Sequence, residues 1–160
     1  MKNPNKILVI RFSSIGDLVL SSPVYRALKK RFPGVEIHLA VKEKLKGVLQ
    51  ENPNIDDFKV LETSIWSLAF QLRNENYDCI IDLHNNLRSF ILKLIIAKPS
   101  FTVAKKNISK WRMVKLKHKI SVPHIVDRYL DTIADLGTQN DGLGLEFFTD
   151  SNSKSWGLDF

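Results

Sequence analysis

Cysteine is almost absent from this chain of 160 residues, since Cys79 is the only one. An intramolecular disulfide is therefore excluded, and with it the small secreted folds that depend on several such bonds. The apolar neighbours Ile80 and Ile81 predict a buried, unreactive thiol at Cys79. A chain of this length can bury a core without disulfides or structural metals, so we expect one domain.

Long hydrophobic runs are also missing. The longest candidate, Phe90 to Ala97, is interrupted by Lys93 and falls well short of the roughly 18 residues that a membrane-spanning helix needs. The polar start, Met1 to Lys6, is followed by only four apolar residues, Ile7 to Ile10, which argues against a secretory signal. We therefore expect a cytoplasmic protein that at most binds a membrane surface.

Glycine is scarce, with seven residues, and the glycine-based nucleotide-binding motifs are missing. The turn after the first predicted strand, Phe12 to Asp17, contains Gly16 alone, whereas a dinucleotide fingerprint needs three glycines. A phosphate-binding P-loop would need a second glycine followed by Lys and Ser or Thr. Metal-ligand spacing is missing as well, both among the four histidines and between them and Cys79, so we predict no metal site.

Acidic residues are outnumbered, 17 against 24 basic ones, which gives a formal net charge of +7 and favours anionic partners. The basic residues concentrate in Lys105 to Lys119, where six lysines and Arg112 surround Trp111 and Leu116. Such a run is usually a solvated face. Its interleaved apolar residues favour a basic loop or amphipathic helix that lies against an anionic membrane surface.

Short apolar runs alternate with longer amphipathic segments, a pattern typical of repeated βαβ units. The sequence therefore predicts an α/β fold, a Rossmann-like and mostly parallel sheet with helices on both faces. The predicted strands are Lys6 to Arg11, Glu36 to Val41, Phe58 to Leu61, Tyr77 to Leu83 and Phe101 to Ala104. The predicted helices are Asp17 to Arg31, Lys42 to Glu51, Ile65 to Asn76, Leu87 to Ala97 and His124 to Leu136.

The end of the chain differs in composition. Pro123 opens the last predicted helix and Gly137 closes it. The residues from Thr138 onward are rich in Gly, Asp, Asn and Ser around one short apolar run, Leu143 to Phe148, and are typical of a linker. We place the domain at residues 1–148 and a linker toward a further domain at residues 149–160.

The turn after the first strand is the best candidate for chemistry, because ligands of doubly wound sheets bind beyond the carboxyl ends of the strands. Ser14 and Asp17 have the spacing of a helix capping box, in which the carboxylate also favours the positive end of the helix dipole. The same position keeps Asp17 ionised and able to accept a proton from a group that becomes more acidic as it reacts. Capping and catalysis are compatible, and both remain open.

Three blocks of the sequence resemble glycosyltransferase family 9, the ADP-heptose:lipopolysaccharide heptosyltransferases. They are ILVIRFSSIGDLVLSSPVYRALKKRFPGVEIHLAV, YDCIIDLHNNLRS and HIVDRYLDTIADLG, which begin at Ile7, Tyr77 and His124. The resemblance runs to about Phe148 and covers the amino-terminal half of a two-domain GT-B fold. It implies that this half binds the lipopolysaccharide acceptor, and that the nucleotide-sugar donor, ADP-heptose, binds the other half.

The resemblance also implies roles for individual residues. Asp17 falls on the position of the general base, which takes the proton of an acceptor hydroxyl as the sugar transfers with inversion. No metal or cofactor is required, because the nucleoside diphosphate leaves as a stable anion. Residues of the first turn would orient the acceptor or the donor phosphate. Basic residues would contact acidic sugars and phosphates of a lipid-linked acceptor at the inner membrane. The binding residues implied in this way are Arg11, Ser13, Ser14, Gly16, Arg88, Lys105, Lys106 and Arg112.

The chain departs from the family at two places. His84, Asn85 and Asn86 stand where the family commonly has Gln-Gly, and His84 is expected to be a hydrogen-bonded loop residue rather than a catalyst. The stretch Glu62 to Phe70 has none of the basic residues that relatives carry after the third strand, so acceptor recognition must differ.

Two other functions are compatible with this composition. A non-enzymatic basic α/β module could bind anionic lipid or nucleic acid through Lys105 to Lys119, although the sequence lacks an RNA-recognition signature and a helix-turn-helix, and nucleic acid is not the expected partner. A phosphoacceptor or flavodoxin-like domain would share the fold. The acidic pair expected after its first strand and a flavin loop are missing.

Overall fold

A computed structural model of the chain describes residues 3–104 and 124–149. Its centre is a parallel sheet in the order β3-β2-β1-β4-β5, which confirms the predicted Rossmann-like architecture. The strands are β1 (Lys6–Ile10), β2 (Glu36–Lys42), β3 (Asp57–Leu61), β4 (Cys79–Asp82) and β5 (Ser100–Thr102). The strand order reverses between β1 and β4, and ligand crevices form at such reversals.

Helices cover both faces of this sheet. They are α1 (Ile15–Leu20), α2 (Ser22–Arg31), α3 (Ile65–Arg73), α4 (Leu87–Ile96) and α5 (Ile125–Ile133), with 3₁₀ turns at Glu43–Val48 and Ala134–Leu136. Alternate residues of β1 enter different cores: Ile7 and Val9 pack with α2 and α5, whereas Leu8 and Ile10 pack with α3 and α4. Burial on both faces explains why β1 is a continuous apolar run.

The predicted helix Asp17 to Arg31 is wrong in one respect, since two helices meet at Ser21. Pro23 has no backbone N–H to donate to the carbonyl of Val19, so the first helix cannot continue through it. The Ser21 hydroxyl donates to the Leu18 carbonyl oxygen at 2.6 Å, and Val24 N–H donates to the Ser21 carbonyl oxygen at 3.0 Å to start α2. The interruption leaves α1 as a short helix at the carboxyl edge of the sheet.

Several other predicted boundaries also move. The predicted helix Lys42 to Glu51 is a 3₁₀ turn ending at Val48, and Gly47 within it lowers helical propensity. Helix α3 ends at Arg73 rather than Asn76, which has φ of 53°. Strand β5 begins one residue early, at Ser100. Gly137, with φ of 75°, closes the last helical segment as predicted.

The segment 138–149 has no helix or strand but is fixed to α2. The guanidinium of Arg26 donates to both carboxylate oxygens of Asp141 at 2.8 Å and lies 3.0 Å from the Glu146 carboxylate. The Glu146 N–H donates to the Ser22 hydroxyl at 2.9 Å. This part of the predicted domain therefore runs along the α2 face of the sheet, and the predicted linker beyond Thr149 lies outside the described residues. Among the described residues, no helix combines the length and the apolar character needed to cross a bilayer.

Candidate active site

The loop after β1 carries the candidate residues of the first turn to the carboxyl edge of the sheet. Arg11 N–H donates to the Ala40 carbonyl oxygen at 3.0 Å, which extends the ladder with β2. The buried ring of Phe12 packs edge-on against His84, with 5.5 Å between ring centroids, and so connects the loop after β1 to the loop after β4. The chain then turns, with a cis peptide bond between Ser13 and Ser14, and enters α1. The side chains beyond Phe12 are thereby left at the ligand-binding edge.

Asp17 sits in the first turn of α1, where Ser14 is the N-cap and the two residues form a capping box. Its Oδ2 atom accepts hydrogen bonds from the backbone N–H and the hydroxyl of Ser14, each at 3.0 Å, and is ion-paired with Arg11. Its Oδ1 atom accepts a single long hydrogen bond, 3.3 Å, from the Tyr129 hydroxyl. The side chain is 30% exposed, so Oδ1 is the oxygen best able to receive a further donor.

The environment of Asp17 keeps its carboxylate charged. Partial burial opposes ionisation, but hydrogen bonds from Ser14 and the positive charge of Arg11 outweigh it and hold the pKa of Asp17 below its usual value. The amino-terminal end of α1 carries the positive end of the helix dipole, which also favours the charged form of Asp17. At neutral pH this group is an acceptor of protons and never a donor.

The Arg11 side chain is mostly buried and engaged by other groups of the protein. Its guanidinium donates to the Leu83 carbonyl oxygen, pairs with Asp17 and lies 5.5 Å from the centre of the Tyr129 ring. The side chain is 12% exposed. These contacts join the loops after β1 and β4 to helix α5.

Tyr129 is the site residue that sequence reasoning missed. It lies 112 positions after Asp17, and its side chain is 1% exposed. Burial raises the pKa of Tyr129 to about 12. The positive charge of Arg11 opposes this shift and the negative charge of Asp17 adds to it. The hydroxyl therefore remains a neutral donor at physiological pH. The sequence placed Tyr129 within the last predicted helix, and only the three-dimensional contact shows that its hydroxyl faces Asp17.

The loop after β4 forms the second wall of the site. Asp82 is fully buried, accepts from His84 N–H at 3.0 Å and Asn85 N–H at 2.7 Å through Oδ1, and lies 2.8 Å from the Lys93 ammonium through Oδ2. Burial, with the adjacent Arg11 charge, lowers the pKa of His84 to about 4, so the imidazole is neutral at physiological pH. Its Nδ1 atom is buried without a hydrogen-bond partner among the described residues. His84 is thus held through its backbone, as a loop residue.

A groove of about 440 Å³ opens beside this loop. Arg88 lines it, and Lys42 and Lys44 add two cations at and just after the end of β2. The remaining lining residues are Glu43, Leu61, Glu62, Thr63 and Ile65. The stretch after β3 therefore supplies no cation, as the sequence indicated, whereas the lysines after β2 had not been anticipated. The groove and Asp17 lie at the same carboxyl edge of the sheet, because Lys42 ends β2, Asp17 follows β1, and these two strands are paired.

The remaining sequence-predicted residues divide in two. Ser13 and Gly16 lie in the same turn as Asp17, with Gly16 exposed and with open space where a side chain would be. Lys105, Lys106 and Arg112 belong to residues 105–123 and lie outside the described residues. Within residues 3–104 and 124–149, no cluster of His, Cys, Asp and Glu could hold a metal ion.

Replacing Arg11 by Gln should raise the pKa of Asp17, because the positive charge in contact with the carboxylate favours its ionised form. The native pKa is depressed, so the ion pair stabilises the fold above the pKa of the unfolded chain, and this contribution is lost as pH falls through the folded pKa. Carbon-13 NMR titration of the carboxyl carbon measures the change. Arg88→Gln is the matched control and should leave Asp17 unchanged, and an unaltered pKa in Arg11→Gln would contradict the contact.

Comparison with known proteins gives a consistent family. The family model for glycosyltransferase family 9 (heptosyltransferase) matches residues 65–155. Lipopolysaccharide heptosyltransferase 1 of Campylobacter coli is 30% identical over 113 residues, which is 66% of this chain and 32% of that protein. Lipopolysaccharide core heptosyltransferase OpsX of Haemophilus influenzae is 26% identical over 136 residues, which is 79% of this chain and 39% of that protein. The chain thus spans well under half the length of these curated relatives.

Solved structures share the fold at lower identity. The glycosyl transferase family 9 protein of Veillonella parvula superposes with a TM-score of 0.75 at 22% identity, over 99% of this chain and 49% of that one. The ADP-heptose lps heptosyltransferase II of E. coli superposes with a TM-score of 0.67 at 21% identity, over 94% of this chain and 49% of that one. The fold is accordingly that of one half of a GT-B enzyme. Since the family model matches more than half of its residues, the chain belongs to glycosyltransferase family 9, the heptosyltransferase family.

Proposed function

We propose that this domain forms the acceptor side of an inverting enzyme that transfers heptose, or a related sugar, from ADP-heptose to an inner-core lipopolysaccharide acceptor. The observation that carries the proposal is the ionised, partly exposed carboxylate of Asp17 at the carboxyl edge of the sheet, beside a cationic groove. The relatives named as lipopolysaccharide heptosyltransferases support the substrate class. Family membership favours this function over a non-enzymatic basic module.

In the proposed reaction, an acceptor hydroxyl attacks the anomeric carbon of the donor. A new bond forms between the hydroxyl oxygen and this carbon, the bond from the carbon to the diphosphate oxygen breaks with its electron pair, and Oδ1 of Asp17 takes the hydroxyl proton. Attack opposite the leaving group inverts the anomeric configuration. The low pKa of Asp17 makes it a weak base in the resting site, so proton transfer becomes favourable only as the hydroxyl oxygen loses electron density.

The nature of the leaving group explains why a single carboxylate is enough for the proposed reaction. A nucleoside diphosphate departs as a stable anion, whereas the sugar leaving group of a glycosidase must be protonated by a second carboxylic acid. The second nearby carboxylate, Asp82, is fully buried and engaged with Lys93 and two backbone N–H groups. Asp82 therefore shapes the loop, and Asp17 performs the acid–base step.

The groove near the site has side chains that could bind an anionic, partly apolar acceptor. Lys42, Lys44 and Arg88 provide cations for carboxylate or phosphate groups, and Leu61 and Ile65 provide apolar surface. Ser13, Ser14 and Gly16 border Asp17 with a hydroxyl-rich, sterically open turn in which the acceptor or the donor phosphate is oriented. In this proposal the donor binds in another domain, so the 160-residue chain is inactive alone. A lipid-linked acceptor also brings the enzyme to the cytoplasmic face of the inner membrane as a peripheral protein.

A transfer assay on a longer protein that contains this domain tests the proposal. ADP-heptose and an inner-core lipopolysaccharide acceptor should yield one ADP per heptosylated product, and proton NMR of the product should show the inverted anomeric configuration. The 160-residue chain should give no product under the same conditions. Transfer with retained configuration, or full activity of the 160-residue chain, would contradict the mechanism or the division of labour between domains.

A further inference from the structure

Helices α3 and α4 are apolar on the side that faces solvent as well as on the side that faces the core. Leu68, Leu72, Leu92 and Ile96 are buried against the sheet. On the outer side, five large apolar side chains are each more than half exposed. They form what we call the α3–α4 face: Trp66 (56%), Phe70 (57%), Leu87 (74%), Phe90 (57%) and Leu94 (69%).

The spacing of these residues gives each helix an apolar stripe. Trp66 and Phe70 are four residues apart on α3, and Leu87, Phe90 and Leu94 are three and four residues apart on α4, so each set forms one stripe. Both helices follow parallel strands and pack against each other, so the two stripes belong to neighbouring helices on the same face of the sheet. Surface helices of globular domains normally present polar residues here, and apolar patches of this kind mark contact surfaces.

Charges around the α3–α4 face are predominantly positive. Neither α3 nor α4 contains an acidic residue. Arg73 and Arg88 in the helices, and Lys98 after α4, make no ion pair within residues 3–104 and 124–149.

The nearby acids are mostly neutralised. Glu75 is bound by Lys6 at 2.7 Å and by Lys59 at 2.5 Å, and Asp82 is bound by Lys93. Asp78 accepts from the backbone N–H groups of Asn5 and Lys6 at 2.7 and 3.0 Å. Two exposed acids remain near the amino-terminal ends of α3 and α4, Glu43 and Glu62, and both line the groove. An apolar stripe bordered by cations is complementary to a layer of acyl chains beneath anionic headgroups.

We infer that the α3–α4 face docks on an anionic membrane surface, with the two helices lying in the plane of the interface. Trp66, Phe70 and Phe90 enter the boundary between headgroups and acyl chains, and Arg73, Arg88 and Lys98 contact lipid phosphates. A second copy of the chain is the less favourable occupant. Pairing this face with itself about a two-fold axis would bring the same cations together.

The position of the face relative to the groove gives the docking a geometric consequence. Trp66 follows Ile65, and Leu87 precedes Arg88, and both Ile65 and Arg88 line the groove. The groove therefore opens directly at the membrane level when the face is docked. This inference goes beyond the transferase activity and does not depend on it, since lipid binding needs neither donor nor lipopolysaccharide.

Co-sedimentation of the full protein with vesicles free of lipopolysaccharide tests the docking. Wild-type protein should bind vesicles of phosphatidylethanolamine and phosphatidylglycerol, should bind pure phosphatidylcholine poorly, and should dissociate as salt increases. Phe70→Ser combined with Phe90→Ser should weaken binding at least about tenfold, because two large apolar side chains lose their burial. The matched control is Leu143→Ser with Phe147→Ser, which removes two exposed apolar side chains on the α2 side and should bind as wild type.

A spectroscopic readout keeps the test independent of sedimentation. In the 160-residue chain with Trp111 and Trp156 replaced by Phe, Trp66 is the remaining tryptophan, and its emission should shift to shorter wavelength on anionic vesicles and be quenched by brominated lipid. Absence of a shift, or equal binding by the Phe70→Ser, Phe90→Ser variant, would overturn the proposal. A dimer in solution that the same variant dissociates, without vesicle binding by wild type, would assign the face to a second copy instead.

Discussion

Asp17→Asn should lower kcat of the proposed sugar transfer by about 100- to 10,000-fold, the range expected when a positioned general base is removed. The substitution preserves the size of the side chain and leaves an oxygen that can accept from Ser14. It removes the charge that Arg11 faces and the capacity to take a proton. Because the ion pair is partly exposed, its loss should change the free energy of unfolding by only about 1 kcal/mol.

Initial rates of ADP release under saturating donor and acceptor give this effect, and urea unfolding of the same preparation shows that the fold persists. Asp127→Asn is the matched control, because Asp127 occupies the first turn of α5 and is exposed to solvent. It should retain wild-type kcat. An Asp17→Asn enzyme within a factor of about two of wild type would exclude Asp17 as the base.

Asp82→Ala should cost about 3–5 kcal/mol of unfolding free energy, the largest stability effect expected at the site. The change removes a fully buried carboxylate and leaves the Lys93 ammonium, which is 17% exposed, without its counterion. The backbone N–H groups of His84 and Asn85 lose their acceptor at the same time. Urea denaturation monitored by circular dichroism measures the loss as a lower midpoint.

A double-mutant cycle separates the ion pair from the loop hydrogen bonds. Lys93→Met alone should also destabilise the fold strongly, since the Asp82 charge stays buried without its cation. The double variant Asp82→Ala, Lys93→Met should be more stable than the sum of the single losses predicts, because no unpaired charge remains. Asp135→Ala, at an exposed acid in the last 3₁₀ turn, should change the unfolding free energy by less than about 0.5 kcal/mol. Additive single losses would show that Asp82 and Lys93 do not act as a pair.

The parallel sheet could be predicted from sequence because its central strands are buried on both faces and therefore read as unbroken apolar runs. β1 and β4 illustrate this, with every residue from Ile7 to Ile10 and from Cys79 to Asp82 buried. The capping relation of Ser14 and Asp17 is local and was equally visible. A structural feature that depends on only four neighbouring residues, such as a capping box, can be recognised in the sequence alone.

Contacts between distant residues could not be predicted in the same way. Tyr129 could be assigned to a helix from the sequence, but the position of its hydroxyl depends on how α5 packs against β1 and α2. The cations of the groove could not be grouped from the sequence either. Lys42 and Lys44 line the same groove as Arg88 only because of the order in which the strands are arranged in the sheet. Trp66 and Phe70 are indistinguishable in sequence from core residues, whereas the structure leaves them more than half exposed.

The contact between Tyr129 and Asp17 also bears on how the protein matures on the ribosome. The loop that carries Arg11 and Asp17 is synthesised well before the residue that completes its surroundings, since Tyr129 follows Asp17 by 112 positions. Until α5 has been made and has docked, the Arg11 guanidinium has no aromatic ring beside it and Oδ1 of Asp17 lacks its hydroxyl donor. A nascent chain therefore completes the surroundings of the Asp17 carboxylate only after Tyr129 has been synthesised and α5 has docked.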